Sequence, residues 1–327
     1  MNLSPVAPAD APTPPDSPGQ PPGESLAGAT AAQRTIAVIG DEWTLRILRS
    51  MFRGRRRHGE FIADFGVSRA VLGDRLSKLV AHGVLQRRVV AGGHPQYWLS
   101  ASGLDLWSLL VAMWLWETDW GTGRQAGPWA PDLPREQMVH LGCGRAMRPV
   151  LRCQHCLGEV QPFDTRDDAD PAMSAVPAAG AAFRRTRGGG TPGGASVPVL
   201  RLARVVGDRW NAALVAAAFR GVRQFARFQQ TLQIGPTQLS ERLAELQALG
   251  ILRPRHYAAN RQEYRLTRAG VALFPIVLEM VRWGRGDLQG AAQPLPVRHM
   301  VCGERLRVGW HCGHCAGLLR RADVRFL

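Results

Sequence analysis

The chain has 327 residues, with 41 Lys+Arg against 26 Asp+Glu, a formal net charge of +15. That length fits two ordinary domains better than one, and a 45% hydrophobic content supplies real cores, which excludes a wholly disordered chain. The excess of arginine points to a polyanionic partner, nucleic acid or an anionic membrane surface. The longest apolar run, Leu104 to Trp116, is too short to span a bilayer and contains Asp105. No basic stretch followed by an apolar core opens the sequence, so no secretory signal is expected. A cytoplasmic, nucleoid-associated protein without membrane contact is expected. There, six cysteines read as metal ligands or free thiols more readily than as disulfides.

Residues 1–30 are a Pro/Ala/Ser/Gly mixture without periodicity and read as a disordered tail. Residues 164–197 have the same character and read as a disordered linker. Around that linker lies an internal repeat. Residues 34–116 align with 201–283 without a gap, and 25 of the 83 positions are identical. Gly40-Asp41-x-Trp43 returns as Gly207-Asp208-x-Trp210, and Trp116 returns as Trp283. The period is far longer than that of solenoid repeats, so a whole domain is duplicated.

Within copy one a first helix carries Trp43, Ile47, Leu48 and Met51 and ends at Gly54. A basic turn with Arg56 and Arg57 leads to a short helix holding Phe61 and Phe65. Ser68 is placed as the N-cap of a third helix with Leu72, Leu76 and Leu79 at i, i+4, i+7. In copy two, Gly235-Pro236 takes the same start and Leu239, Leu243 and Leu246 form the stripe. Gly83 and Gly250 follow as C-caps. A basic hairpin comes next, turning at Gly92-Gly93 in copy one and Ala259-Asn260 in copy two. A final apolar helix closes each copy. Helix, helix, capped helix, hairpin, helix is the order of a winged helix-turn-helix, whose third helix enters the major groove while the wing lies along the backbone.

The candidate DNA contacts follow. In copy one they are Arg56, Arg57, Ser68, Arg69, Gly73, Asp74, Arg75 and Lys78, with Arg87, Arg88 and His94 on the wing. In copy two they are Arg223, Thr237, Gln238, Ser240 and Arg242, with Arg253, Arg255 and Arg261 on the wing. The recognition helices differ in charge. Residues 68–82 hold Arg69, Arg75 and Lys78 against Asp74, a net +2, whereas 235–249 hold Arg242 against Glu241 and Glu245, a net −1. Copy one is therefore expected to dominate affinity, with copy two leaning on its wing. Tied copies would contact major-groove faces about 34 Å apart.

These residues resemble the HxlR-type winged-helix regulators, relatives of the MarR-like repressors. The resemblance rests on Ile39-Gly40-x-x-Trp43, on Gly66-Val67-Ser68-x-x-x-Leu72-x-x-Arg75-Leu76-x-x-Leu79-x-x-x-Gly83-Val84-Leu85-x-Arg87, and on Tyr97-x-Leu99-Ser100-x-x-Gly103, which returns as Tyr264-x-Leu266-Thr267-x-x-Gly270. It covers both copies, about half the chain. It implies sequence-specific binding of double-stranded DNA, more often as a repressor than an activator, and a tandem chain acting as a covalent pseudo-dimer. Many such regulators carry a sensing cysteine just before the first helix; here that region is Ala31-Ala32-Gln33-Arg34.

All six cysteines fall in two clusters of identical spacing: His140, Cys143, Cys153 and Cys156, then His299, Cys302, Cys312 and Cys315. Each HxxC-G and CxxC pair supplies a Cys3His set suited to tetrahedral Zn2+ in a structural role, one ion per cluster. The inner His155 and His314 are alternative ligands, and reduced free thiols or a redox-responsive site are alternative readings. The expected fold is mainly α with small β-hairpin wings. It comprises winged-helix domains at 31–120 and 198–288 and zinc-ribbon-like modules at 136–163 and 295–320. The tryptophan-rich helix 104–116 suits packing between the copies, association with another chain, or an ordinary core. No catalytic constellation is present in the sequence: no Walker loop, no GxSxG, no HExxH. A protein-binding adaptor of the transcription machinery is the alternative function.

Overall fold

The computed structural model describes residues 27–89, 94–121, 137–167, 199–258, 261–285 and 294–327. Copy one opens with α1 (Ala27–Ile39), α2 (Glu42–Phe52), α3 (His58–Phe65) and α4 (Arg69–Ala81). The wing strands β1 (Leu85–Val89) and β2 (Pro95–Leu99) pair antiparallel, and α5 (Ala101–Asp105) and α6 (Trp107–Trp116) follow. A first Cys/His module adds β3 (Met138–His140), β4 (Arg145–Ala146), β5 (Pro149–Cys153) and β6 (Thr165–Asp167). Copy two repeats the plan with α7 (Val199–Val206), α8 (Arg209–Phe219), α9 (Phe225–Leu232), α10 (Pro236–Ala248), β7 (Leu252–Ala258), β8 (Arg261–Leu266), α11 (Arg268–Val271) and α12 (Phe274–Gly284). The second module holds β9 (Val297–His299), β10 (Val308–Cys312) and β11 (Val324–Phe326).

The chain is thus mainly helical with small antiparallel strand pairs, as the patterning implied. Ser68 caps α4 by accepting from the Val71 N–H. The stripe Leu72, Leu76 and Leu79 is at most 1% exposed, each side chain contributing about 1.5–3 kcal/mol on burial. Three expectations change. Residues 1–26 of the expected tail lie outside the described residues, but Ala27 to Thr30 already belong to α1. Of the expected linker, 168–197 lies outside them, while Asp164 closes a 3-10 turn and Thr165–Asp167 form β6. The second module runs past 320 to β11. Both expected wing turns, Gly92-Gly93 and Ala259-Asn260, also lie outside the described residues.

The two copies pack directly on each other. Helix α1 of copy one lies along α12 of copy two so closely that a Cβ at Gly284 would meet the Ala31 carbonyl oxygen at 1.9 Å. A Cβ at Gly207 would likewise meet the carbonyl oxygen of Gly40, its own counterpart in copy one, at 2.9 Å. The closing tryptophans bridge reciprocally. Trp116 Nε1 donates to the Ala269 carbonyl at 2.9 Å, and Trp283 Nε1 donates to the Ser102 carbonyl at 3.0 Å. The tryptophan-rich helix therefore packs between copies of the repeat within one chain.

One ion cluster joins the same surfaces. Arg282 sits 2.8 Å from Asp105 and 2.6 Å from Glu279, whose side chain is 1% exposed. Burial pushes the Glu279 carboxyl up, and Arg282 opposes that shift. Removing the arginine would strand a buried carboxylate. Arg282→Met should lower unfolding free energy in denaturant titration by about 3–5 kcal/mol, and the double variant with Glu279→Met should recover most of the loss. Equal destabilisation in both variants would refute this account.

Candidate nucleic-acid interface and metal centres

The motif Gly-Asp-x-Trp sets the reading head. Asp41 caps α2, accepting from the Thr44 N–H at 3.1 Å, and its carboxylate also meets Arg75 Nε at 3.0 Å. Copy two repeats this: Asp208 accepts from the Trp210 and Asn211 N–H groups and meets Arg242 at 3.1 Å. Arg75 also touches Asp74, and Arg242 pairs with Glu245 at 2.8 Å. Burial works against the Arg75 charge, but Asp41 and Asp74 outweigh it and hold the guanidinium above its usual range. Burial also raises the Glu245 carboxyl, yet hydrogen bonds from Asn211, Arg204 and Arg242 outweigh that and hold it below 4.5.

Arg75 and Arg242 are therefore corrected as candidate DNA contacts. Each is largely buried, with Arg242 only 8% exposed, and each locks the recognition helix to the N-terminus of an earlier helix, α2 for Arg75 and α8 for Arg242. The remaining helix candidates face outward: Ser68, Arg69 and Asp74 on α4 are exposed, with Gly73 and Lys78 half-buried. On α10, Thr237, Gln238 and Ser240 are exposed, and so is Glu241.

Both wings carry open charge. Arg87, Arg88 and His94 are exposed in copy one, and Arg253, Arg255 and Arg261 in copy two. Among the described residues, Arg69, Arg87, Arg253 and Arg261 enter no ion pair, while Arg255 lies 3.9 Å from Glu263. The turn before α3 is stitched to the wing, since Tyr97 N–H donates to the Arg56 carbonyl and Tyr264 N–H to that of Arg223. This brings Arg57 and Arg223, both exposed, to the wing base. Arg56 instead donates to the Met51 carbonyl at 2.7 Å and stacks over Trp98, which Arg88 also covers. Trp98, 37% exposed, was not among the candidates; its place on the strand that pairs with the basic β1 was the available signal.

The Cys/His residues gather in a pattern the sequence order did not suggest. His140 and Cys143 meet Cys312 and Cys315, while Cys153 and Cys156 meet His299 and Cys302. The expected pairing within each sequence cluster is corrected: each HxxC knuckle closes on the CxxC knuckle of the other copy. The reason is strand pairing. β5 pairs with β10, β3 with β11 and β6 with β9, all between copies. His155 and His314 are exposed and outside both groups. In each group the ligand atoms lie within 4.8 Å of one another, so either could hold a metal ion. Leu157 and Ala316, just after the last cysteine of each CxxC, adopt positive φ despite their side chains.

A family model described as HxlR-like helix-turn-helix matches residues 38–125 and again 205–291, more than half of the chain. The chain belongs to the HxlR-like helix-turn-helix family. As a tandem HxlR-like protein it is an HTH-type transcriptional regulator. An uncharacterised HTH-type transcriptional regulator of Mycobacterium tuberculosis (strain CDC 1551 / Oshkosh) is 36% identical over 127 residues, 38% of this chain and 80% of the relative. Another, from Synechocystis sp., is 32% identical over 91 residues, 27% of this chain and 67% of the relative. A solved structure described as a candidate transcription factor, PA1607, is 30% identical and covers 40% of this chain and 94% of its own at a TM-score of 0.32. No helix among the described residues is long and apolar enough to cross a membrane.

The buried pairs and the wing cations should separate experimentally. Arg242→Ala should lower the melting temperature by several degrees while leaving the slope of log K against log[salt] for DNA unchanged. Arg87→Ala should do the reverse, reducing the magnitude of that slope by about 0.9. Glu245 is held below its ordinary value, so its contribution is complete above pH 4.5 and lost as pH falls further. Replacing it with Gln should flatten the acid limb of a stability–pH curve.

Proposed function

We propose that this HxlR-like chain is a sequence-specific double-stranded-DNA-binding repressor whose two winged helices act as a covalent pseudo-dimer. The observation that carries this reading is the contrast on each reading head. Its inner arginine is tied to an N-cap aspartate, while its outer arginines stand exposed, on the wing in both copies and also on the recognition helix in copy one. The reciprocal tryptophan bonds support a fixed relation between the heads, since a tethered but freely tumbling pair would gain less from the second contact.

The heads are unequal. α4 offers Arg69 and Lys78 outward, whereas α10 offers Thr237, Gln238, Ser240 and Glu241. Copy one supplies most of the affinity and copy two reads through its wing. Exposed Glu241 also favours a second reading, in which copy two docks on a protein of the transcription machinery. Zn2+ is the ion the Cys/His groups suit, in a structural role without an open coordination position.

Genomic fragments selected with the purified chain should share a two-part motif and compete in gel shift far better than random DNA. Affinity should fall steeply with salt; a flat dependence would overturn the DNA reading. Arg69→Ala with Arg87→Ala should weaken binding at least tenfold, more than Arg253→Ala with Arg255→Ala. An unaffected second pair would move copy two to the adaptor reading.

A further inference from the structure

We propose that the two Cys3His groups are Zn2+ sites shared between the copies, each ion taking two ligands from either half, so that metal binding locks the duplicated units together. The metal assignment rests on the Zn2+ reading above; the sharing rests on the crossed geometry.

The interatomic distances fit a tetrahedral ion. With Zn–S about 2.3 Å and Zn–N about 2.0 Å, a tetrahedron has S···S edges of about 3.8 Å and S···N edges of about 3.5 Å. Cys143 Sγ lies 3.9 Å from Cys312 Sγ, and Cys315 Sγ lies 3.3 Å from His140 Nδ1. In the second group, His299 Nδ1 lies 3.4 Å from Cys156 Sγ and 3.5 Å from Cys302 Sγ. The sulfurs stand at ligand–ligand spacing, well beyond the about 2.05 Å of a disulfide. Both imidazoles present the same nitrogen, Nδ1, to the sulfurs. Cys153 and Cys312 are fully buried at 0% exposure, so their sulfurs are held in place by the fold.

Neither half can make a site alone. Each half owns one HxxC and one CxxC knuckle, but the paired strands carry them apart and toward the partners from the other half. The modules also dock across: Trp310 Nε1 of module two donates to the Ser108 carbonyl of copy one, and Arg220 of copy two pairs with Asp167 of module one at 3.1 Å. A metal at either site therefore ties the halves as a staple would, next to the helices that position the reading heads.

The test is metal counting on the full chain. Wild-type protein should hold about two Zn2+ per chain after dialysis. Cys143→Ser with Cys315→Ser removes two ligands from one shared site and should leave about one. Cys143→Ser with Cys156→Ser damages both sites and should leave almost none. Pairing within each sequence cluster reverses the two results, because Cys143 and Cys156 would then share a site. That reversal, or a wild-type ratio near zero, overturns the proposal. Cys143, Cys156 and Cys315 are not among the buried cysteines, so these variants spare the core. Co2+ loading, read as thiolate-to-cobalt absorption per chain, counts the sites independently. Neither readout involves DNA, so failure here leaves the regulator reading standing, and loss of DNA binding would leave this one.

Discussion

Two helices that approach at backbone distance govern the rest of this structure. Where α1 meets α12, the carbonyl of Ala31 occupies the space a Cβ of residue 284 would need. Where the copies meet near the start of α2 and α8, Gly207 stands against Gly40. Such contacts admit one geometry only, because close-packed backbones do not slide by fractions of an ångström. With that geometry set, Trp116 and Trp283 each find a carbonyl of the opposite copy. Each indole N–H is satisfied as it is buried, which a large amphipathic ring requires. The Cys/His modules, which follow α6 and α12 in the chain, pair their strands with each other.

The charge distribution follows from the same economy of partners. An excess of fifteen positive charges suggests a surface available throughout to phosphate. Three of the arginines are instead committed inside: Arg75 and Arg242 to the N-cap aspartates, Arg282 to Asp105 and Glu279. A buried guanidinium is tolerated only with such partners, and its removal leaves carboxylates exposed to the same penalty. The cations facing water are spread over the wings, the first turn of α4, the turns before α3 and α9 and the Cys/His modules, where Arg145, Arg307, Arg320 and Arg325 are exposed. Counting charge along a helix therefore overstates what it presents.

The fold was readable because duplication exposes it twice. A leucine stripe with a Ser or Gly-Pro start and a basic hairpin behind it is local information, and local information survives in sequence. The eight metal-type ligands were equally legible, since HxxC and CxxC spacing is a covalent fact. Their partners were not. Within one cluster His140 and Cys156 are close in sequence, and proximity along the chain favoured joining them; strand exchange between β5 and β10 decided otherwise. Arg75 and Arg242 were misjudged for a related reason. Helical position puts them on the flank of the leucine stripe, but only the tertiary placement of Asp41 and Asp208 shows that the flank faces α2 or α8. Helix α1 was missed because Ala27–Ile39 begins in a low-complexity stretch whose helicity depends on packing against α12.

Tying the copies in one chain changes what can vary. In a symmetric homodimer each substitution in the reading head appears twice, so both heads must suit the same half-site. Here the positions retained between copies include two at the seam, Gly40 with Gly207 and Trp116 with Trp283, and the pair that ties each recognition helix, Asp41 with Asp208 and Arg75 with Arg242. The outward positions have parted: Gly73 faces Ser240 in register, Lys78 faces Glu245, and Trp98 faces Arg265. Glu245 shows why this is more than surface drift. Where copy one has a half-buried lysine, copy two has a carboxylate turned back onto Arg242, Arg204 and Asn211, an internal tie in place of a cation. The shared frame holds the two copies in place, and the covalent link frees their outward positions to differ.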